Sequence, residues 1–507
     1  MEHTVLESKE KNKKELIFKV LFYFAVFFGI NCLVYPILPL FDDWYYLTAP
    51  NPDFQLNYLL PGMPFWRLLP DPAYQLGYVY NGPTFWRPFD ALFGAFMAYC
   101  PQLFPVLNRA VVILAHVLNA ILLDAIAEKL GIKRQWRRFA VCFFLFSSST
   151  WAVTTSPDAL NQAYSVLLGV AAVWLYLKKG GYSYLLLCLG ALFWKESGVS
   201  WFFVIPVLDT VLHCKTLVAF FKDKEQIKRS AIQVALGLLA VLVYFVARFA
   251  LQGSISLGGG NSTYQLSLFS FSTIKNLVLL FASASTGVDS IALFGTEPSL
   301  LLVGITAVLS MVFLGSLLLC VIRMIKARNG LFMLLGLVVC ALGLAFPLAI
   351  LGNAGEMHAY PVLCSMTLVF AYCLDRSNFS VKQLCVSVVC IFLAFTISSA
   401  HKLTAIYEYS GRTERLTQRI HQVYDAPTGP ALFVVVDNWE GYSVFTQHAA
   451  QGTCVGLSLR PYYDWAALDH AMYIAESQED AEAFIQAYED RYAQVFVIQG
   501  ETVQKRK

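Results

Sequence analysis

The sequence predicts an all-α polytopic membrane protein of about eleven transmembrane helices, followed by a small α/β domain. Three observations carry that prediction. Of the 507 residues, 57% are hydrophobic and 14% are charged, whereas a soluble domain is about 25% charged. The apolar residues gather into runs near the ~20 residues that cross a bilayer as a helix. After Ala400 these runs stop, and a polar stretch with strand-like and helix-like periodicity begins. The formal net charge of +3 is too small to point to nucleic acid.

Taken in order, residues 1–16 form a polar, lysine-rich tail expected in the cytoplasm. The run that follows carries no small-residue cleavage site, so it reads as a span and not as a signal peptide. Spans are expected near 17–40, 105–128, 139–154, 160–177, 182–194, 198–214, 231–252, 299–322, 331–351, 360–374 and 382–400. Those at 139–154 and 182–194 are short, which suits helices around a water-filled cavity. Residues 17–400 are read as one transmembrane domain with a long loop at 41–104. Residues 401–507 are read as a separate extracytoplasmic α/β domain, with strand-like runs at 431–436 and 494–498 and an amphipathic helix at 479–488. The twelve cysteines lie mostly inside apolar runs, which argues against a disulfide framework, and no CxxC metal pattern occurs.

Basic residues set the orientation. Lys9, Lys11, Lys13 and Lys14 precede the first span, and Lys133, Arg134, Arg137 and Arg138 follow the second. Further clusters follow the fourth, sixth, eighth and tenth spans. All of them fall on one side if the N-terminus is cytoplasmic, as lysine and arginine in short loops favour. The remaining connections are then extracytoplasmic: 41–104, 154–158, 194–198, 252–298 and 352–358.

The noteworthy polar residues fall on that outer side: Asp42, Asp43, Arg87, Asp158, Lys195, Glu196, Glu356 and His358. Charges at a membrane boundary are costly enough to need a reason. Cations there can hold a phosphate leaving group, and a carboxylate can take a proton from an acceptor hydroxyl. Each residue also has a plainer reading. Asp42 and Asp43 can end a helix in headgroup water, Arg87 can snorkel, Lys195 and Glu196 can neutralise each other, Glu356 and His358 can end a helix, and Asp158 can cap one. His116 and Asn119 lie one turn apart in the second span, where they can hold helices together or take part directly.

These residues resemble motifs of the GT-C superfamily of polyprenyl-phosphate-sugar glycosyltransferases, especially the protein O-mannosyltransferases and their TPR-containing relatives. Asp42-Asp43 resembles the acidic pair of their first outer loop. Trp86-Arg87-Pro88 resembles their Tyr-Arg-Pro stretch, and His116 with Asn119 resembles their His-x-x-Asn-x-x-Leu helix. Lys195-Glu196-Ser197-Gly198 matches their Lys-Glu-x-Gly turn, and Glu356 to Tyr360 loosely matches Glu-Arg-x-x-Tyr. The likeness covers roughly 17–375 in the same order. Met357 and His358 replace a basic residue, Ser156-Pro157-Asp158 lacks a His-rich pattern, and no TPR array follows. These departures leave the sugar and the acceptor open.

The resemblance implies an inverting transferase in which Asp42 is the general base and Asp43 orients the acceptor or Asp42. Arg87 and Lys195 would hold the donor phosphate, with Glu196 fixing Lys195. It implies no cofactor beyond the lipid-linked sugar donor, no metal ligands among these residues, and leaves dependence on a divalent metal open. The expected partners are the bilayer, a polyprenyl-phosphate sugar, and a glycan, lipid or protein acceptor, at the outer face of a bacterial plasma membrane. The competing expectations are a transporter or flippase of lipid-linked sugars, which would favour internal repeats and midplane sites, and a non-catalytic subunit of a glycan-assembly complex.

Overall fold

The computed structural model describes residues 2–34, 87–90, 106–155, 159–252, 270–288, 299–350, 356–423, 431–436, 470–475 and 477–507. The helices are α1 (Glu2–Val34), α2 (Val106–Lys129), α3 (Arg134–Phe146), α4 (Trp151–Thr154), α5 (Leu160–Lys179), α6 (Tyr184–Trp194), α7 (Trp201–His213), α8 (Leu217–Lys222), α9 (Lys224–Gln252), α10 (Phe271–Ser285), α11 (Leu300–Ala327), α12 (Leu331–Ala349), α13 (Tyr360–Arg376), α14 (Val381–Val423) and α15 (Gln478–Tyr488).

Eight described helices are long and apolar enough to cross a bilayer. They correspond to eight of the eleven expected spans. The other three, 139–154, 182–194 and 198–214, are the short helices α3, α6 and α7, of 13, 11 and 13 residues. At 1.5 Å per residue a 13-residue helix reaches about 20 Å, less than the ~30 Å apolar core. The expected span at 139–154 is therefore corrected. It breaks at Ser147, where the backbone leaves the helix and a 3-10 turn at Ser148–Thr150 intervenes. The Ser-Ser-Ser-Thr run supplies the cause: Thr150 Oγ1 donates to the Ser147 carbonyl at 2.7 Å, a local bond that competes with the helix ladder.

Two other expectations change. The stretch 252–298, read as an outer loop, contains α10, which packs against α12 and α13. Its start is set by Ser270, whose hydroxyl caps the Thr273 amide. The domain boundary drawn at 400 falls inside α14, which continues unbroken to Val423.

Aromatic side chains fill the centre. Phe143 of α3 packs against Phe370 of α13 at 5.3 Å and Phe395 of α14 at 5.1 Å, within the edge-to-face range. Small residues bring helices close elsewhere. A Cβ on Gly336 of α12 would meet the Val211 side chain of α7 at 2.5 Å, so these helices pack as they do because that position is glycine. At the end of the bundle near the α5 C-terminus, Asp209 is fully buried. It accepts from the Tyr176 hydroxyl, from Gln226 Nε2 at 3.0 Å and from Arg229 Nε at 3.0 Å, tying α5, α7 and α9 together.

The C-terminal part holds a four-stranded sheet in the order β2-β1-β3-β4: β1 Ala431–Val436, β2 His470–Ala475, β3 Gln494–Gln499 and β4 Thr502–Lys505. β1 pairs in parallel with β2 and β3, and β4 returns antiparallel to β3 through Gly500 at φ +64°. Every residue of β1 is buried, as a central parallel strand requires. α15 starts at Ser477, whose hydroxyl accepts from the Asp480 amide. Strands β2 and β4 were not anticipated. Arg415 of α14 holds Glu501 with two bonds of 2.8 Å, joining the long helix to the β3–β4 turn.

Candidate functional site

The Lys-Glu turn is the best-defined part of the site. α6 ends at Trp194, Lys195 takes an extended conformation, and a 3-10 helix at Glu196–Ser200 leads into α7. This reversal folds the turn back onto the helix it leaves. A Cβ on Gly198 would lie 2.5 Å from the Ala191 carbonyl carbon and oxygen, so only glycine fits. Trp201, just past the turn, lies over Gly169 of α5, where an added Cβ would come within 2.0 Å of the indole. The backbone presenting Lys195 and Glu196 is thus clamped from two sides.

Arg87 comes to this turn from a distant part of the chain. Its Nε donates to Glu196 Oε2 at 2.9 Å, and the two side chains are 10% and 20% exposed. The following helical turn at 88–90 is anchored by Phe89, which meets Phe193 edge-on at 5.6 Å and Trp194 at 6.0 Å. Asp90 is buried and accepts from Asn161 Nδ2 of α5 at 3.2 Å. Tyr164, one turn further along α5, stacks on Trp194 at 4.9 Å.

α9 completes the cluster. Tyr244 and Arg248 are both fully buried one turn apart on α9, with the guanidinium within electrostatic reach of the Tyr244 hydroxyl. Tyr244 lies within electrostatic reach of Glu196 and Arg87, and its ring is 6.0 Å from Phe193. Arg87 pairs with Glu196, Arg248 and Tyr244 of α9 lie near that pair, and Lys195 is the neighbour of Glu196 in the chain, all at one end of the helix bundle. Buried guanidinium groups with fixed geometry suit an anion such as phosphate, because their charge is permanent and their donors are already aimed. Glu196 was expected to fix Lys195; its hydrogen bond runs instead to Arg87. In the extended backbone at Lys195, successive side chains diverge, which sends the carboxylate towards the neighbouring segment.

His116 and Asn119 form a different feature. Both are fully buried and share the hydroxyl of Tyr360: His116 Nδ1 at 2.9 Å and Asn119 Nδ2 at 3.3 Å. Asn119 also donates to the Ala163 carbonyl of α5 at 3.4 Å. Phe27 and Phe144 pack on the imidazole. The pair knots α2, α5 and α13 together inside the core. His358 is half-buried in the 3-10 turn Glu356–Ala359, which packs against the turn Ser148–Thr150. Beside this turn Lys402 is fully buried, and its Nζ donates to the Ser148 carbonyl at 3.0 Å.

Asp42, Asp43 and Asp158 lie outside the described residues, as does the side chain of Glu356. Among the described residues no group of three His, Cys, Asp or Glu side chains is placed to hold a metal. The sequence reading missed Arg248, Tyr244, Asp90, Asn161 and Lys402. Arg248 carried a signal, a charge within the apolar run 231–252. Lys402 sits just beyond the run 382–400, at the start of the polar stretch, where a lysine gives no such signal.

No family model matches this sequence, nor does any curated protein. Solved structures do match. ArnT from Cupriavidus metallidurans bound to undecaprenyl phosphate aligns with a TM-score of 0.50 and 12% identity, covering 96% of this chain and 97% of that one. The same protein in the apo state aligns at 0.49 and 12% identity, covering 94% and 92%. Identity this low speaks to fold alone, and the alignment runs over nearly the whole of both chains. This chain is a multi-pass membrane protein whose fold is similar to that of ArnT.

Proposed function

We propose that the protein is a membrane glycosyltransferase that moves a sugar from a polyprenyl phosphate to an acceptor hydroxyl at the extracytoplasmic face. The observation that carries this reading is the buried Arg87–Glu196 pair beside Lys195 and Arg248, at one end of a fold shared with a protein solved with undecaprenyl phosphate. In this reading Arg87 and Lys195 hold the donor phosphate and Arg248 adds to the positive field. Asp42 takes the proton of the acceptor hydroxyl as its oxygen attacks the anomeric carbon. The bond from that carbon to the phosphate oxygen breaks, polyprenyl phosphate leaves, and the configuration inverts. Asp43 orients the acceptor or Asp42. The positioned cations stabilise charge that grows on the leaving phosphate, the kind of interaction that contributes most when it is held in place beforehand.

The test is transfer by purified protein in proteoliposomes supplied with a polyprenyl-phosphate hexose and a lipid and glycan extract as acceptor. Mass spectrometry is expected to show a hexose added to an acceptor together with free polyprenyl phosphate, both lost in the variant Arg87→Gln. Movement of intact donor between leaflets with no covalent product would overturn the reading in favour of a transporter.

A further inference from the structure

At the end of the bundle opposite Arg87, a groove of about 710 Å³ opens between α1, α2 and α3. α1 and α3 converge towards the other end, where Phe27 packs on Phe146 at 5.5 Å. Towards this end they part, and the space between them is walled by Tyr23, Ala125 and Val141 below a rim of charged residues. A groove of this kind at a membrane boundary is filled by either lipid or water.

The charges on its rim decide between them. Arg137 is occupied: its Nε donates to Asp124 Oδ1 at 2.8 Å and its Nη1 pairs with Glu128 at 3.2 Å. Lys19 is paired with Glu15 at 3.0 Å. These contacts use all three acids of the rim. Arg134 and Arg138 remain, exposed and four residues apart on one side of α3, and neither makes a hydrogen bond or ion pair with a described residue. The rim therefore offers two uncompensated guanidinium groups above an apolar wall. That matches the phosphodiester of a phospholipid whose chains continue down the groove. Guanidinium pairs with phosphate in a fixed two-pronged geometry, and basic residues at an anionic membrane surface each contribute about 1 kcal/mol.

We propose that this groove is a binding site for an anionic phospholipid of the leaflet opposite the Arg87 cluster, with the headgroup phosphate held by Arg134 and Arg138. The proposal does not depend on the glycosyltransferase reading. It is tested by native mass spectrometry of the full protein titrated with phosphatidylglycerol or phosphatidylcholine. One phosphatidylglycerol is expected to remain bound in preference to phosphatidylcholine. In the double variant Arg134→Gln/Arg138→Gln its affinity is expected to fall about 30-fold, the equivalent of about 2 kcal/mol for two basic residues. The control Lys224→Gln/Lys228→Gln removes the same charge from exposed residues of α9 and is expected to bind as the parent does. A further variant, Ala125→Trp, fills the groove while keeping both arginines and is expected to expel the lipid. Equal loss in the lysine control, or retention in Ala125→Trp, would overturn the proposal, as would equal affinity for the two lipids.

Discussion

Replacing Glu196 by glutamine keeps the shape of the side chain and removes its charge. Arg87 feels the loss, because its Nε lies 2.9 Å from Oε2 and the two side chains are only 10% and 20% exposed. With ~4 Å between charge centres and an effective dielectric near 20, their attraction is about 4 kcal/mol. Desolvation offsets part of this, yet removing one partner of a buried pair costs about 3–5 kcal/mol, since the other charge stays buried. Tyr244 lies within electrostatic reach of the pair, and a polar neighbour softens the loss, so about 3 kcal/mol is expected for Glu196→Gln. The variant Arg87→Met removes the cation and keeps an unbranched apolar stem that reaches about as far as Nε. In Glu196→Gln/Arg87→Met neither charge is left stranded, and the double variant is expected to be about 2 kcal/mol more stable than the sum of the single changes implies. Reversible unfolding in mixed micelles measures all four corners of this cycle. Additivity within about 0.5 kcal/mol, the level typical of independent sites, would refute the buried pair. Polyprenyl phosphate binding gives a separate readout: Arg87→Met is expected to weaken it more than Glu196→Gln does, because only the first removes a cation proposed to hold the phosphate.

Three further outcomes are expected. Asp42→Asn keeps size and hydrogen bonding but removes the basic oxygen, so transfer under saturating donor falls about 10²–10⁴-fold while donor binding persists, and Asp43→Asn is milder; a larger loss from Asp43→Asn would move the base one residue along. Gly198→Ala drives a methyl group into the Ala191 carbonyl at 2.5 Å, and because that neighbour is backbone, about 1–3 kcal/mol of stability and most of the transfer activity are expected to be lost, which unfolding and turnover assays check together. Tyr360→Phe removes the hydroxyl shared by His116 and Asn119, and a stability loss of about 1 kcal/mol, the usual scale for such bonds in membranes, is expected with polyprenyl phosphate binding unchanged; weaker binding would show that the knot also shapes the site.

The sequence by itself determined the class of the molecule. Apolar runs of spanning length can only be helices in lipid, where every backbone amide must be satisfied within its own segment. That constraint acts on contiguous residues, so eight long helices were legible one run at a time. The C-terminal strands β1 and β3 and helix α15 were legible for the same reason, through local apolar runs and a helical period. The Lys-Glu turn also stood out, because a charged pair inside an apolar stretch is costly wherever it folds.

The tertiary structure decided what those charges meet. Arg87 and Glu196 are 109 positions apart, and no periodicity links them. Arg248 joins them only because α9 packs against α6 and α7, and Lys402 is buried only because α14 lies over the turn at Ser148. The tertiary structure also decided where α3, α6 and α7 end. Hydropathy measures how apolar a segment is, whereas the length of these helices depends on polar turns at Ser147 and Lys195 that other helices enclose. A period along one chain records which face of a helix is apolar. Which helix then covers that face, and which buried cation finds a carboxylate, depends on close packing between segments distant in sequence.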